Sequence, residues 1–240
     1  MEPRAIVFLV EGSIEEALYT TILRRLYNAN AVKCETTPRK LRELLDPILN
    51  RTRCYRLKNV ESLFLFNCGG YDNLKTTIRQ LFKRRELIDV AREYEVRVVV
   101  AADKDMKPYE SVRSILESMG FQVIEAKGMK VKLGEGAEVT IHVIEQGGEG
   151  GSSTGEVEDE LQKLLENVKP ELGNIVNQIS GTHGPLTSKQ KLLISLALLK
   201  PKPKIRSLRG DIEELLNTIN DDLLRVGLRN IVEKISEALS

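Results

Sequence analysis

FLVEGSIEEALYTTIL, residues 8–23, changes character at Glu11: an apolar run stops at a glutamate and a glycine, and a helical pattern begins. The run Ala5 to Val10 suits a strand buried on both faces, and Ile14 to Tyr27 repeats apolar residues at helical spacing. The same signature returns twice. FNCGGYDNLKTTI, residues 66–78, follows a strand over Ser62–Asn67 with the pair Gly69 and Gly70, then a helix over Asn73–Phe82. VVVAADKDMKP, residues 98–108, ends a strand over Val96–Ala102 with Asp103 and Asp105, and a helix over Tyr109–Met119 follows. Strands alternating with helices predict a mostly parallel sheet with helices on both faces, and in such sheets the carboxyl ends of the strands share one edge where ligands bind.

Working outward, Phe121–Ala126 reads as a further strand, and Met129–Leu133 and Val139–Glu145 flank the turn GEGA as a hairpin that extends the sheet edge. QGGEGGSSTG, residues 146–155, has five glycines and no apolar residue, so it suits a flexible loop or linker. Beyond it the strand signal disappears, and Glu156–Val168, Thr187–Leu199, Asp211–Asn217 and Leu228–Leu239 carry helical spacing. The expected organisation is an α/β domain with a C-terminal hairpin over 1–148, a glycine-rich linker over 149–155 and a small all-helical domain over 156–240.

With 240 residues and 41% hydrophobic content, the chain can bury one good core or two modest ones. Thirty-six basic against 35 acidic residues leave a net charge of +1, so any nucleic-acid contact must come from local patches. Cys34, Cys54 and Cys68 are widely spaced and include no Cys-x-x-Cys pair, which argues against a zinc knuckle and a disulfide framework and points to a reducing cytoplasm. The apolar run before Glu11 is too short to cross a membrane, so no membrane partner is expected.

Asp103 and Asp105 would point to the same side if strand geometry persisted through them, bringing two carboxylates to one hard cation. Magnesium, or manganese, suits such oxygen ligands and keeps waters that a phosphate can share. Glu11, on a neighbouring strand end, would bind the same ion or act as general acid or base, an arrangement that favours phosphodiester cleavage or transfer. The plainer alternative is that the aspartates cap a helix.

The order of glutamate, glycine pair and Asp-x-Asp resembles the Toprim domain of topoisomerases, bacterial primases and the overcoming-lysogeny-defect nucleases. The resemblance spans about residues 4–126 and implies Glu11, Asp103 and Asp105 as catalytic and metal-binding residues. Glu15 stands where many Toprim sequences have an aspartate four residues after the glutamate, and it is carried over as a metal ligand. GGSSTGEVEDEL, residues 150–161, resembles the segment in which those nucleases complete a second metal site, with Glu156 and Glu158 as the candidates. A helix start with Ser153 or Thr154 as its cap explains the same residues without a metal.

The basic runs Lys189–Lys191 and Lys200–Arg209 would supply phosphate contacts, with Lys191 implied by the resemblance as the transition-state cation. A solvated basic face explains such runs equally. His142, in the alternating run VTIHVIE, reads as a strand residue, His183 as part of a loop between helices, and Tyr71 as a packing or helix-start residue. Without a Walker A sequence, zinc ligands or a second large body, the resemblance narrows to a small stand-alone Toprim protein. It implies a magnesium-dependent nuclease of DNA repair or RNA processing, with DNA or RNA as partner. The alternative is a non-catalytic nucleic-acid-binding or protein-partner module on a Toprim fold; a homodimer stays open.

Overall fold

The computed structural model describes residues 3–126, 128–134, 136–147, 156–199 and 207–240. The chain begins with β1 (Arg4–Val10), α1 (Ser13–Leu26), the short β2 (Asn30–Val32) and α2 (Arg39–Leu45). It continues through β3 (Thr52–Leu57), β4 (Val60–Asn67), α3 (Tyr71–Lys83), α4 (Arg85–Ala91) and β5 (Glu95–Asp103). Next come α5 (Pro108–Ser118), β6 (Gln122–Ala126), β7 (Gly128–Gly134) and β8 (Ala137–Gln146). Among the described residues that follow, the helices are α6 (Val157–Val168), α7 (Glu171–His183), α8 (Ser188–Leu199), α9 (Leu208–Thr218), α10 (Asp221–Gly227) and α11 (Arg229–Leu239).

The eight strands form one sheet in the order β2-β3-β4-β1-β5-β8-β7-β6. Its centre, β4-β1-β5-β8, is parallel, and antiparallel strands extend both edges. The expected hairpin is present, but its position differs from a simple edge extension. β8 returns to pair with β5, in register from Val96↔Val139 to Asp103↔Gln146, and β6 is left outermost. Buried apolar β8 is the better filler of a central slot, whereas β6 keeps only one half-buried apolar position and leaves Ile124 exposed.

Alternation along β1 assigns its side chains to two cores. Ile6, Phe8 and Val10, with Val99, Ala101 and Ile144, face α1 and the helices beyond residue 156. Ala5, Val7 and Leu9, with Val98, Val100, Val139 and Ile141, face α2 to α5. Helices therefore cover both faces, as the alternating pattern requires. Each fully buried Val, Leu, Ile or Phe contributes roughly 1.5–3 kcal/mol relative to exposure, so this central strand anchors both layers. The C-terminal helices share one core with α1 and the sheet: Leu161, Leu165, Leu192, Ile212, Leu224 and Ile231 all belong to it. The end of α11 is clamped to the sheet, where Arg4 and Arg97 donate to the carbonyls of Leu239 and Ala238 at 3.0 and 2.8 Å.

Three expectations need correction. Cys34 and Cys54 are joined in a disulfide with Cα atoms 5.3 Å apart, and Cys68 alone is a free, buried thiol. The β2-β3 pairing sets Val32 opposite Cys54, which brings together cysteines that look dispersed in sequence. His183 closes α7 rather than lying in a loop, because the segment Glu171–His183 is a helix despite its glycines. The strand geometry expected to run through Asp105 stops at Asp103, where a 3₁₀ turn over Lys104–Met106 takes over. The proposed linker 149–155, the caps Ser153 and Thr154, and Lys200–Arg206 lie outside the described residues.

Candidate functional site

The ends of the parallel strands are laced together around Glu11. Its backbone N–H donates to Ala101 O at 3.2 Å, and its carbonyl accepts from Gly70 N at 2.7 Å. Cys68 N donates to Val10 O at 2.9 Å. Gly69 and Gly70 make the close turn with φ of +76° and +123°, a region open to glycine at little cost. Three strand-to-helix turns thus meet at one edge. Tyr71 fills the packing role, buried at the start of α3 with its hydroxyl donating to Met106 O at 2.9 Å.

Four elements bring carboxylates to this edge. Glu11 directly follows β1, Glu15 is in the first turn of α1, Asp103 ends β5 and Glu158 is in the first turn of α6. Asp103 draws α6 in: its Oδ1 accepts from Val157 N at 2.9 Å, so the aspartate caps a helix 54 residues away. Glu156, at the N-cap position, makes no side-chain cap, and its charge acts on Glu158. Asp105 sits exposed on the 3₁₀ turn, where its charge acts on Glu11.

These acids disfavour one another's ionisation. Asp103 is pushed up to about 8, first by burial and then by Glu15, Glu11 and Glu158. Glu15 is pushed up to about 7, first by burial, although backbone N–H groups of its own turn oppose this. Burial also raises Glu11, with Asp105 and Glu158 adding to it and a hydrogen bond from the Asp103 backbone opposing it. Glu158 is raised by burial and Glu156, with Lys189 pulling the other way.

Beneath the rim lies a polar floor that no sequence pattern marked. Gln146, the register neighbour of Asp103, donates its Nε2 to the Tyr19 hydroxyl at 3.0 Å, both being fully buried. Glu160, one turn beyond Val157, accepts from Gly147 N at 3.0 Å. Glu160 follows the helical period of α6 and was legible in principle; Gln146, a polar residue ending a strand, carried no signal.

Hard-oxygen side chains of this kind fit a magnesium or manganese ion in chemistry, and Glu11 Oε2 is a buried acceptor without a hydrogen-bond partner among the described residues. Among the described residues, no three acidic, histidine or cysteine side chains converge closely enough to hold an ion as they stand. The donor set therefore fits in chemical type, while closing around an ion requires carboxylates to turn inward. Of the α8 lysines, Lys189 acts on Glu158, whereas Lys191, the sequence-based choice, sits about 200° around the helix from it. His142 is a half-buried β8 residue lining a cavity of about 700 Å³ beside α11, as its strand pattern indicated.

The fold matches the crystal structure of a hypothetical protein from Pyrococcus horikoshii OT3, with a TM-score of 0.68 and 19% identity, covering 98% of this chain and 95% of that one. At that identity the likeness shows the α/β fold alone. No family model and no curated protein matches the chain. Among the described residues, no helix is long and apolar enough to cross a membrane.

Proposed function

We propose that this chain is a Toprim-type, magnesium- or manganese-dependent enzyme that cleaves phosphodiester bonds of nucleic acid. The observation that carries the reading is the cluster Glu11, Glu15, Asp103 and Glu158: burial raises every member, and repulsion from other members adds to it at Glu11, Glu15 and Asp103. Acids assembled from four elements at such a cost are better explained by a cation than by packing. A nucleic-acid partner goes with this reading, whereas the Cys34–Cys54 disulfide removes the cysteine argument for a reducing cytoplasm.

Glu11, Asp103 and Glu158 would hold the ion, with Glu15 and Asp105 at its margin. A bound divalent ion supplies Lewis-acid stabilisation of the attacking and leaving oxygens. Glu11, with one oxygen unpartnered and its affinity for protons raised, is suited to take a proton from the attacking water. Lys189 provides a cation near the Glu158 side of the site, suited to offset charge developing on the phosphate. The Gly69–Gly70 turn leaves room for a backbone to approach Glu11 closely.

The test is incubation of pure protein with single- and double-stranded DNA and RNA, with manganese or magnesium and with chelator. Cation-dependent cleavage that disappears in Asp103→Asn supports the reading; absence of cleavage on every substrate counts against it. A second reading, a non-catalytic binding module, is favoured by the cap that Asp103 provides to α6. It predicts nucleic-acid binding without cleavage, unchanged by chelator.

A further inference from the structure

One residue past Glu15, the buried Glu16 becomes the centre of a partly buried charged network. Its Oε1 accepts from Arg53 Nε at 2.7 Å and lies 2.9 Å from Arg209 Nη1. Its Oε2 accepts from Asn67 Nδ2 at 3.1 Å. Asn67 in turn accepts from Gly69 N at 2.9 Å through its Oδ1. Gly70, the next residue, donates to the Glu11 carbonyl at 2.7 Å. Ion pairs and hydrogen bonds, joined through the Gly69–Gly70 peptide, therefore link Arg209 of α9 and Arg53 of β3 to the backbone that carries Glu11.

Each link has a reason to be directional. Glu16 is 6% exposed, so losing a partner would leave a buried carboxylate short of a donor. Asn67 uses both ends of its amide, one as donor and one as acceptor, which a carboxylate or an apolar side chain in its place cannot reproduce alone. The glycine turn has no side chain of its own to fix it; the Asn67 amide holds its N–H side at Gly69, while Asn73 Nδ2 donates to the Gly69 carbonyl at 3.1 Å from α3.

We propose that Glu16 and Asn67 are positioning residues for Glu11, and that Arg209 makes the geometry of the acidic site depend on α9 being docked. This rests on the cation-dependent reading of the site. Neither residue touches the reacting atoms; both act through the Gly69–Gly70 turn.

The experiment compares wild type, Asn67→Leu and the charge-conserving swap Glu16→Gln with Asn67→Asp. In the swap, the new amide on α1 would donate to the new carboxylate at the end of β4, which would still accept from Gly69 N. Two quantities are read on the full chain: manganese affinity by calorimetry, and hydrogen exchange of the Gly69 and Gly70 amides. N67L should weaken manganese about tenfold or more and speed exchange at the turn, while the swap stays within about threefold of wild type. Equal affinity and unchanged exchange in N67L would overturn the proposal, as would equal loss in N67L and the swap. If wild type binds no manganese, the cation reading fails by itself, and exchange alone decides whether Asn67 positions the turn. Should N67L not fold, Asn67→Ser carries the same readings.

Discussion

Replacing Asp103 with asparagine removes one negative charge from the cluster and keeps its shape. The asparagine side chain retains the oxygen that accepts from Val157 N, so the cap on α6 survives. The Asp103 carboxyl rises from an ordinary 3.8 to about 8 on folding, with burial as the largest cause. Below 3.8 the aspartic acid is protonated in both folded and unfolded chains. As pH rises from there towards 8 the unfolded chain loses its proton first, so stability falls, and above 8 the penalty is complete. For an isolated group this interval corresponds to about 6 kcal/mol at 1.36 kcal/mol per pH unit. Glu15 carries part of the same repulsion, so about 2–3 kcal/mol is the expected gain for Asp103→Asn at pH 9 without divalent ions. In a chain of this size that raises the melting temperature by about 5–10 °C. At pH 5, just above 3.8, most of the interval to 8 has still to be crossed and little of the penalty has accrued, so the two proteins should melt within about 3 °C of each other. The assay is thermal melting by circular dichroism between pH 5 and 9 in chelator. A variant that melts at or below wild type at pH 9 would refute the claim that burial and the neighbouring carboxylates penalise an ionised Asp103.

Three further outcomes follow from particular contacts. Lys189→Ala should lower cleavage roughly tenfold or more while Lys191→Ala changes it little, read as kcat on the best substrate; the reverse order would return the role to Lys191. Cys34→Ser opens the loop between Cys34 and Cys54 and should cost roughly 3 kcal/mol in chemical denaturation, with reductant lowering wild type to match; no change would remove the disulfide as a stabilising element. Gly227→Ala brings a Cβ within 2.6 Å of Leu164 Cδ1 where α10 meets α6, and should cost about 1–3 kcal/mol in the same assay, whereas an unchanged midpoint would mean Leu164 moves freely.

The central strands were legible because β1, β4 and β5 are long apolar runs ended abruptly by Glu11, the glycine pair and Asp103. A strand buried on both faces has few other readings. β2 has three residues, and α2 and α4 have seven each, so no period accumulates and their existence is settled by packing. α7 hid behind Gly173 and Gly181, whose cost in a helix is offset by the burial of Leu172 and Val176. The place of β8 between β5 and β7 depends on which strand best fills a slot beside β5, and local pattern does not encode that choice. Within the acidic cluster, Glu11 and Asp103 were legible as polar residues that close apolar runs, and Glu15 entered through the family resemblance alone. Asp105 was aimed by a strand rule that fails once the 3₁₀ turn begins. Lys189 was indistinguishable from Lys191 until α8 was docked against α6.

The most direct test is calorimetric titration of manganese and magnesium into wild type and Asp103→Asn at pH 8, with the same samples incubated with DNA and RNA. The acidic-site account predicts binding and cleavage in wild type and loss of both in the variant. Equal heats in the two proteins, with no cleavage by either, would contradict it and leave Asp103 as the cap of α6.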